Sequence, residues 1–305
     1  MSSHLTFPNR AKRRQTAAFL FYWLGLAGWC AYNVRSIMER GLMTMAKNVK
    51  KSSGSTSGGA AENSPMAGMP MFYHKPVAVT SQAFSGKSLK QLANFSFTAK
   101  ANAMPLNAVE FILAMRAYPI VFAGQGGNAM PVAITGLERE KNLFIAQDGS
   151  WLEGAYIPAY VRRYPFIFFE AEGDKLILCL DESANMVEDG SKRPMFDEKG
   201  QPTAIVQNAL AFCKSYQEQY EVTRQFMADL VQHGLLEDYQ ANVELMSREK
   251  ISLGGFQVIN ENKFNALPDS VIAEWRKKGW LPLVYAHLMS FGAWPQLVSL
   301  ASKKS

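Results

Sequence analysis

Residues Trp151 to Phe169, WLEGAYIPAYVRRYPFIFF, constrain this chain more than any other stretch. Seven aromatic residues, two prolines and a tandem arginine fall within nineteen positions. Pro158 suits the first turn of a short helix, where a missing N–H costs nothing. Pro165 drives Tyr164 into an extended conformation and ends that helix. The spacing predicts one to two helical turns over Pro158–Tyr164, then a strand from Phe166. No catalytic motif is present in it.

The elements on either side alternate between strand and helix patterns. Pro119–Ala123 and Met130–Gly136 read as two strands joined by the glycine cluster at Gly124, with Asn142–Gln147 as a third. That cluster leads into a strand and carries no lysine, so it is a hairpin turn rather than a phosphate-cradling loop. Before it, a helix opens at Pro105, with Val109, Ile112, Leu113 and Met115–Arg116 around a mainly buried stripe. Phe166–Ala171 and Lys175–Leu180 form a hairpin whose apolar content predicts burial on both faces. Thr203–Tyr220 is a long helix. The apolar phase shifts near Val222, which predicts a second helix capped by Thr223 and closed by Gly234. Gln240–Met246 and Ile251–Ile259 make another hairpin region, interrupted at Gly254-Gly255. Asp269 caps a helix ending at Gly279, Pro282 starts the next through Phe291, and Trp294–Leu300 adds a last turn or two. The expected class is α+β, with antiparallel strand hairpins packed with several helices.

Charge divides the chain. The net +6 is concentrated before residue 52, where nine bases face Glu39 alone, so the remainder is slightly acidic. A basic N-terminus beside an apolar run is a membrane pattern before it is a nucleic-acid arm; no nucleic acid is expected as a partner. Thr16–Val34 is nineteen residues without a charge, just enough for a helix to cross a hydrocarbon core of about 30 Å. Basic residues flank both ends, so orientation is not set. A cleaved signal peptide and a lipoprotein site are both disfavoured by Trp29 before Cys30. A start at Met43 or Met45 would instead leave a soluble protein. Lys47–Pro70 is rich in Gly, Ser and Ala and reads as a flexible linker. The expected organisation is an N-terminal segment over 1–46 with the candidate span at 16–34, a linker over 47–70, and a folded domain over 71–301.

The phrases in this domain are similar, in order, to those of the SapC family, bacterial proteins named for an association with surface layers. Tyr118-Pro119-Ile120-Val121-Phe122 resembles the family's YPIVF strand, and Pro131-Val132-Ala133 with Asn142-Leu143-Phe144 its following hairpin. Tyr156-Ile157-Pro158 and Tyr164-Pro165-Phe166 match its proline-bearing core. Gly255-Phe256-Gln257-Val258-Ile259-Asn260-Glu261 with Leu267, then Gly279-Trp280-Leu281, Tyr285 and Ser290, match its later elements. The resemblance spans Met71 to Leu300 and does not require the residues before Met71. It implies an envelope association and surface-layer or other envelope components as partners; a membrane contact is expected from the apolar N-terminal segment and not from the resemblance. It implies no cofactor, activity or catalytic residue.

The chemical candidates are few. His4, His74, His233 and His287 have no partner at metal-ligand spacing, so no metal or cofactor is expected, and a small-molecule ligand is not identified. His287, between Tyr285 and Leu288 on an apolar helix, reads first as a hydrogen-bonded core histidine and second as a ligand or acid–base group. Asp181 follows a strand end and reads as a solvated loop residue or a functional carboxylate. Arg162 and Arg163 point in adjacent directions on a short helix, so one meets solvent. The other pairs with an acid or stacks on Tyr160 or Tyr164, or recognises a carboxylate, sugar acid or phosphate. Trp151, Tyr156 and Tyr160 read as core or as a carbohydrate-stacking surface. Cys179 and Cys213 read as small buried hydrophobes, with a bridge as the alternative. The residues thus leave two functions open: a non-catalytic envelope-associated binder, or a soluble enzyme or accessory protein with a pocket near Arg162, Arg163 and Asp181.

Overall fold

A computed structural model of the chain describes residues 69–124, 128–171 and 175–303. The candidate span at 16–34 and nearly all of the linker lie outside the described residues. In chain order the strands are β1 Pro76–Ala78, β2 Lys87–Leu89, β3 Ala103–Pro105, β4 Ile120–Ala123, β5 Met130–Ile134, β6 Phe166–Ala171, β7 Lys175–Asp181, β8 Val187–Asp189, β9 Leu236–Glu244 and β10 Lys250–Ile259. The helices are α1 Ser81–Phe84, α2 Phe111–Ala114, α3 Ala159–Arg162, α4 Ala204–Gln232, α5 Glu261–Asn265, α6 Asp269–Lys278, α7 Trp280–Ser290 and α8 Trp294–Lys303. The strands form a five-stranded sheet in the order β3-β5-β4-β10-β9, a three-stranded sheet β1-β7-β6 and a pair β2-β8. Every pairing is antiparallel, so the fold is α+β.

Two cores result. The larger joins the five-stranded sheet to α2, the end of α4 and the C-terminal helices, around Phe111, Phe122, Phe226 and Trp275. The smaller packs Phe166, Phe168, Leu178 and Leu180 of the three-stranded sheet against Val206 and Cys213 of α4. One helix therefore serves both. At 29 residues it is about 43 Å long at 1.5 Å per residue. Its apolar stripe changes phase near Val222 because its two halves face different cores, and the predicted break does not occur. Thr223 is not a cap: buried mid-helix, it donates to the Gln219 carbonyl and accepts the Ala108 N–H at 3.0 Å.

Other expectations are corrected for equally local reasons. The helix predicted from Pro105 contracts to a 3-10 turn at Ala108–Glu110 followed by the single turn of α2, with Pro105 itself in β3. Its stripe is inverted. Val109, Ile112 and Leu113 are exposed, whereas Ala108, Glu110, Phe111 and Ala114 are buried. The cause is Glu110, whose carboxylate is drawn inward as half of a capping box with Asn107. Asn142–Gln147 is no strand; it contributes one bridge, Ile145 to Trp151. The Asn142 side chain accepts the Phe144 N–H and donates to the Thr98 carbonyl, competing with any ladder. Just before it, a Cβ on Gly136 would lie 1.8 Å from the Lys141 carbonyl oxygen, so the chain approaches itself there more closely than a side chain allows.

The remaining elements follow the sequence more closely. In the β6–β7 hairpin, Phe166, Ile167 and Phe168 are buried in succession, but Leu176 and Ile177 on the far part of β7 are exposed. The β9–β10 hairpin carries its irregularity between Leu253 and Phe256, at the two glycines. Pro268, not Asp269, holds the cap position of α6, and Asp269 sits in its first turn, where a carboxylate favours the helix dipole. Gly279, with φ 77°, both ends α6 and begins α7, so that helix starts at Trp280 rather than Pro282.

Thr223 makes the continuity of α4 testable. Thr223→Val keeps the shape and leaves the buried Ala108 N–H without its acceptor, and should cost about 1–3 kcal/mol in urea unfolding. Thr223→Ser should recover most of that loss. A loss in Thr223→Ser without one in Thr223→Val would place the effect in methyl packing instead.

Candidate functional site

The Trp151–Phe169 stretch is a structural joint. The Trp151 indole donates to the Tyr118 hydroxyl at 3.0 Å, and that hydroxyl donates to the Tyr156 carbonyl. Pro158 precedes the single turn of α3, and the Tyr164–Pro165 bond, which is cis, delivers the chain to β6. Trp151 and Tyr160 are buried, so these rings belong to the core and not to an open stacking surface.

Glu110 holds this joint from outside it. One carboxylate oxygen accepts the Ala159 N–H at 2.7 Å and the Tyr156 hydroxyl at 3.0 Å; the other accepts the Asn107 N–H at 3.0 Å. Burial raises its pKa, opposed by these hydrogen bonds and by Arg162. The sequence carries a signal for it, Asn107 followed three residues later by Glu110.

The two arginines separate as their spacing demands. Arg162 is exposed. It donates to the Ile157 carbonyl at 3.0 Å and to the Tyr156 hydroxyl at 2.9 Å, with its guanidinium against Phe212. Arg163 is buried, its guanidinium 4.2 Å from the ring centre of Tyr160, 4.4 Å from Tyr216 and 5.5 Å from Tyr73. Stacking of a planar, weakly hydrated cation on aromatic faces explains how it is tolerated there. Burial pushes the Tyr73 hydroxyl well above its ordinary pKa, opposed by Arg163.

Asp181 is neither a solvated loop residue nor an open carboxylate. It is fully buried at the end of β7. Its oxygens accept the Lys75 N–H at 2.7 Å, the His74 N–H at 3.2 Å, and both the N–H and the hydroxyl of Ser183. It locks the start of β1 and caps the 3-10 turn that follows. His287 is also fully buried. Its Nε2 accepts the Ile259 N–H at 3.1 Å, and its ring stacks 4.8 Å from Phe122. Burial lowers its pKa to about 3, so it is neutral. Cys179 and Cys213 are free and buried, their thiols pushed up to about 11 and about 12 by burial.

These residues do not converge. Of Arg162, Arg163, Asp181 and His287, only Arg163 lines the cleft beside α4, a space of about 840 Å³. Its walls are the β5 residues Met130–Val132, the hairpin at Gly124 and Asn128, and the α4 face bearing Tyr216, Tyr220 and Arg224. The volume suits a small ligand or a short chain segment. Arg224 is exposed and pairs with Glu221 at 3.3 Å. In the sequence Tyr216 and Tyr220 read only as part of one face of the long helix, and Arg224 carries no signal, because the packing alone sets which surface of that helix meets the cleft. Among the described residues no group of three or more His, Cys, Asp or Glu is placed to hold a metal. No described helix is long and apolar enough to cross a membrane.

His287 gives a pH test of this assignment. Its folded pKa of about 3 lies below the ordinary 6.5, so the unfolded chain takes up the proton first as pH falls. The contribution is complete above about pH 6.5 and is lost progressively toward pH 3, at up to about 1.4 kcal/mol per pH unit. Stability of His287→Gln should therefore fall less steeply than wild type across this window; Glu110, which titrates with opposite sign, is common to both chains. Independently, NMR at pH 5 should find His287 neutral. A protonated ring at that pH would sink the assignment.

A family model for SapC matches residues 79–297, which takes in every strand but β1 and nearly all of both cores. No curated protein and no solved structure matches the chain. The matched region covers more than half of the sequence and coincides with the packed sheets and helices described above: the chain belongs to the SapC family.

Proposed function

We propose that this protein is a binding component of the bacterial envelope, held at a membrane through Thr16–Val34, and that it takes an acidic surface-layer component into the cleft beside α4. The observation that carries this reading is the cleft itself, where Arg163 lies in the floor between Tyr160 and Tyr216 and Arg224 stands on the rim. The half-buried Tyr220 on the wall supplies a ring face for a sugar or peptide chain, and the exposed Arg224 guanidinium matches carboxylate or phosphate. The buried polar groups support binding rather than catalysis. Asp181, Glu110 and His287 are each engaged in holding backbone N–H groups. Family membership supports the association with surface layers, and the uncharged segment supports the anchor.

The test uses the full chain. Oligogalacturonate and inorganic phosphate serve as acidic probes, with a neutral oligosaccharide of matched length as control. An acidic probe should raise the melting temperature, and Arg224→Glu should abolish that rise while leaving the ligand-free melting temperature unchanged. Equal shifts with the neutral probe, or none with any, would overturn the cleft assignment. Native protein found wholly in the soluble fraction, with an intact mass beginning at Met43 or Met45, would overturn the anchor and favour the soluble reading.

A further inference from the structure

We infer that the face formed by α7 and α2 is a docking surface for an anionic phospholipid bilayer, so that the folded domain rests on the membrane instead of hanging from it. Between Lys278 and Lys303 the sequence has no Asp, Glu, Lys or Arg. A helix that is apolar on every side is ordinarily covered on every side. Here α7 buries Trp280, Leu283, Val284 and His287, yet its opposite face, with Pro282, Tyr285 and Met289, is exposed. Met289 is 67% exposed. Helix α2 packs beside α7 and adds Ile112 and Leu113, the last 58% exposed, and the turn before it adds Val109. Leaving such side chains in water forgoes their burial, and a grouped set of them marks an interaction surface.

Charge at the margin selects the occupant. Arg276 and Lys277 are exposed in the last turn of α6, directly before α7, and Arg116 is exposed two residues beyond α2. Lys278 pairs with Asp229 and Glu274. Apolar side chains with arginine and lysine at the edge are the composition of an interfacial membrane contact, where the bases meet anionic headgroups. In a two-fold dimer through this face, the same basic margin would be brought toward itself. The inference rests on the envelope reading only for proximity. The roughly 35 residues between Val34 and Met69 can span at most about 120 Å, which keeps an anchored domain within reach of the bilayer.

The experiment reads Met289 directly. Full-length protein is treated with dilute peroxide alone, with phosphatidylcholine vesicles, and with vesicles containing phosphatidylglycerol. Oxidation of Met289 is followed by peptide mass spectrometry against exposed Met71 as reference. Anionic vesicles should slow Met289 oxidation several-fold relative to Met71. Raised salt or the Arg276→Glu/Lys277→Glu double variant should restore the free rate. An unchanged Met289 rate on anionic vesicles would overturn the inference. So would protection without lipid: if it grows with protein concentration a second copy covers the face, and if it persists on dilution the chain's own Thr16–Val34 covers it. A chain that fails to float with phosphatidylcholine vesicles would remove the anchor while leaving the Met289 comparison decisive for the face.

Discussion

One helix has to bury two different stripes, and most of the architecture follows from that constraint. The first half of α4 closes the core of the three-stranded sheet through Val206 and Cys213; its second half enters the larger core through Phe226, Met227 and Leu230. Between the halves, Tyr216 turns toward Tyr160 and the α3 joint. A break in this helix would separate the two sheets, which share few other elements of comparable length. The Thr223 hydroxyl ties the helix at its phase change to the start of the Ala108 turn.

Buried polar groups fasten the segments that regular structure cannot. Glu110 joins the Ala108 turn to α3, Asp181 joins β7 to the approach of β1, and His287 joins α7 to the end of β10. Each spends its hydrogen-bonding capacity on backbone donors that would otherwise be buried without acceptors, a deficit of about 1–3 kcal/mol apiece. Such burial resembles that of catalytic groups, and burial alone does not distinguish the two. Geometry does. None of the three lines the cleft, whereas Arg163, Tyr216 and Arg224 do.

The cleft and the apolar face assign different work to different surfaces. The first combines rings and guanidinium groups, suited to an acidic chain; the second combines exposed aliphatic side chains with basic edges, suited to lipid. Both fit the proposed envelope role, and they are independent, since no residue is common to them. The same element order that positions α4 beside β5 for the cleft leaves α7 on the outside of the larger core.

Local chemistry made part of this legible in advance. Pro158 and Pro165 set the joint, Gly124 the β4–β5 turn, Gly254-Gly255 the bulge in β10 and Gly279 the boundary between α6 and α7, because each acts on backbone torsions within a few residues. Periodicity likewise located the β6–β7 and β9–β10 hairpins, and the arginine spacing separated Arg162 from Arg163. What periodicity could not decide was which stripe faces inward when two cores compete. For that reason α4 reads as two helices and is one; separately, the Glu110 carboxylate drawn inward turns Val109, Ile112 and Leu113, which read as buried, to the outside. Spacing offered Tyr160 as a stacking partner for one arginine, as Arg163 shows, but not Tyr73 or Tyr216, nor His74 and Lys75 for Asp181, because those residues are far away in sequence. The sequence by itself determined the α+β class and the main hairpins and turns, through short-range torsional preferences. Burial, and with it the makeup of the cleft, was decided only when distant segments packed together.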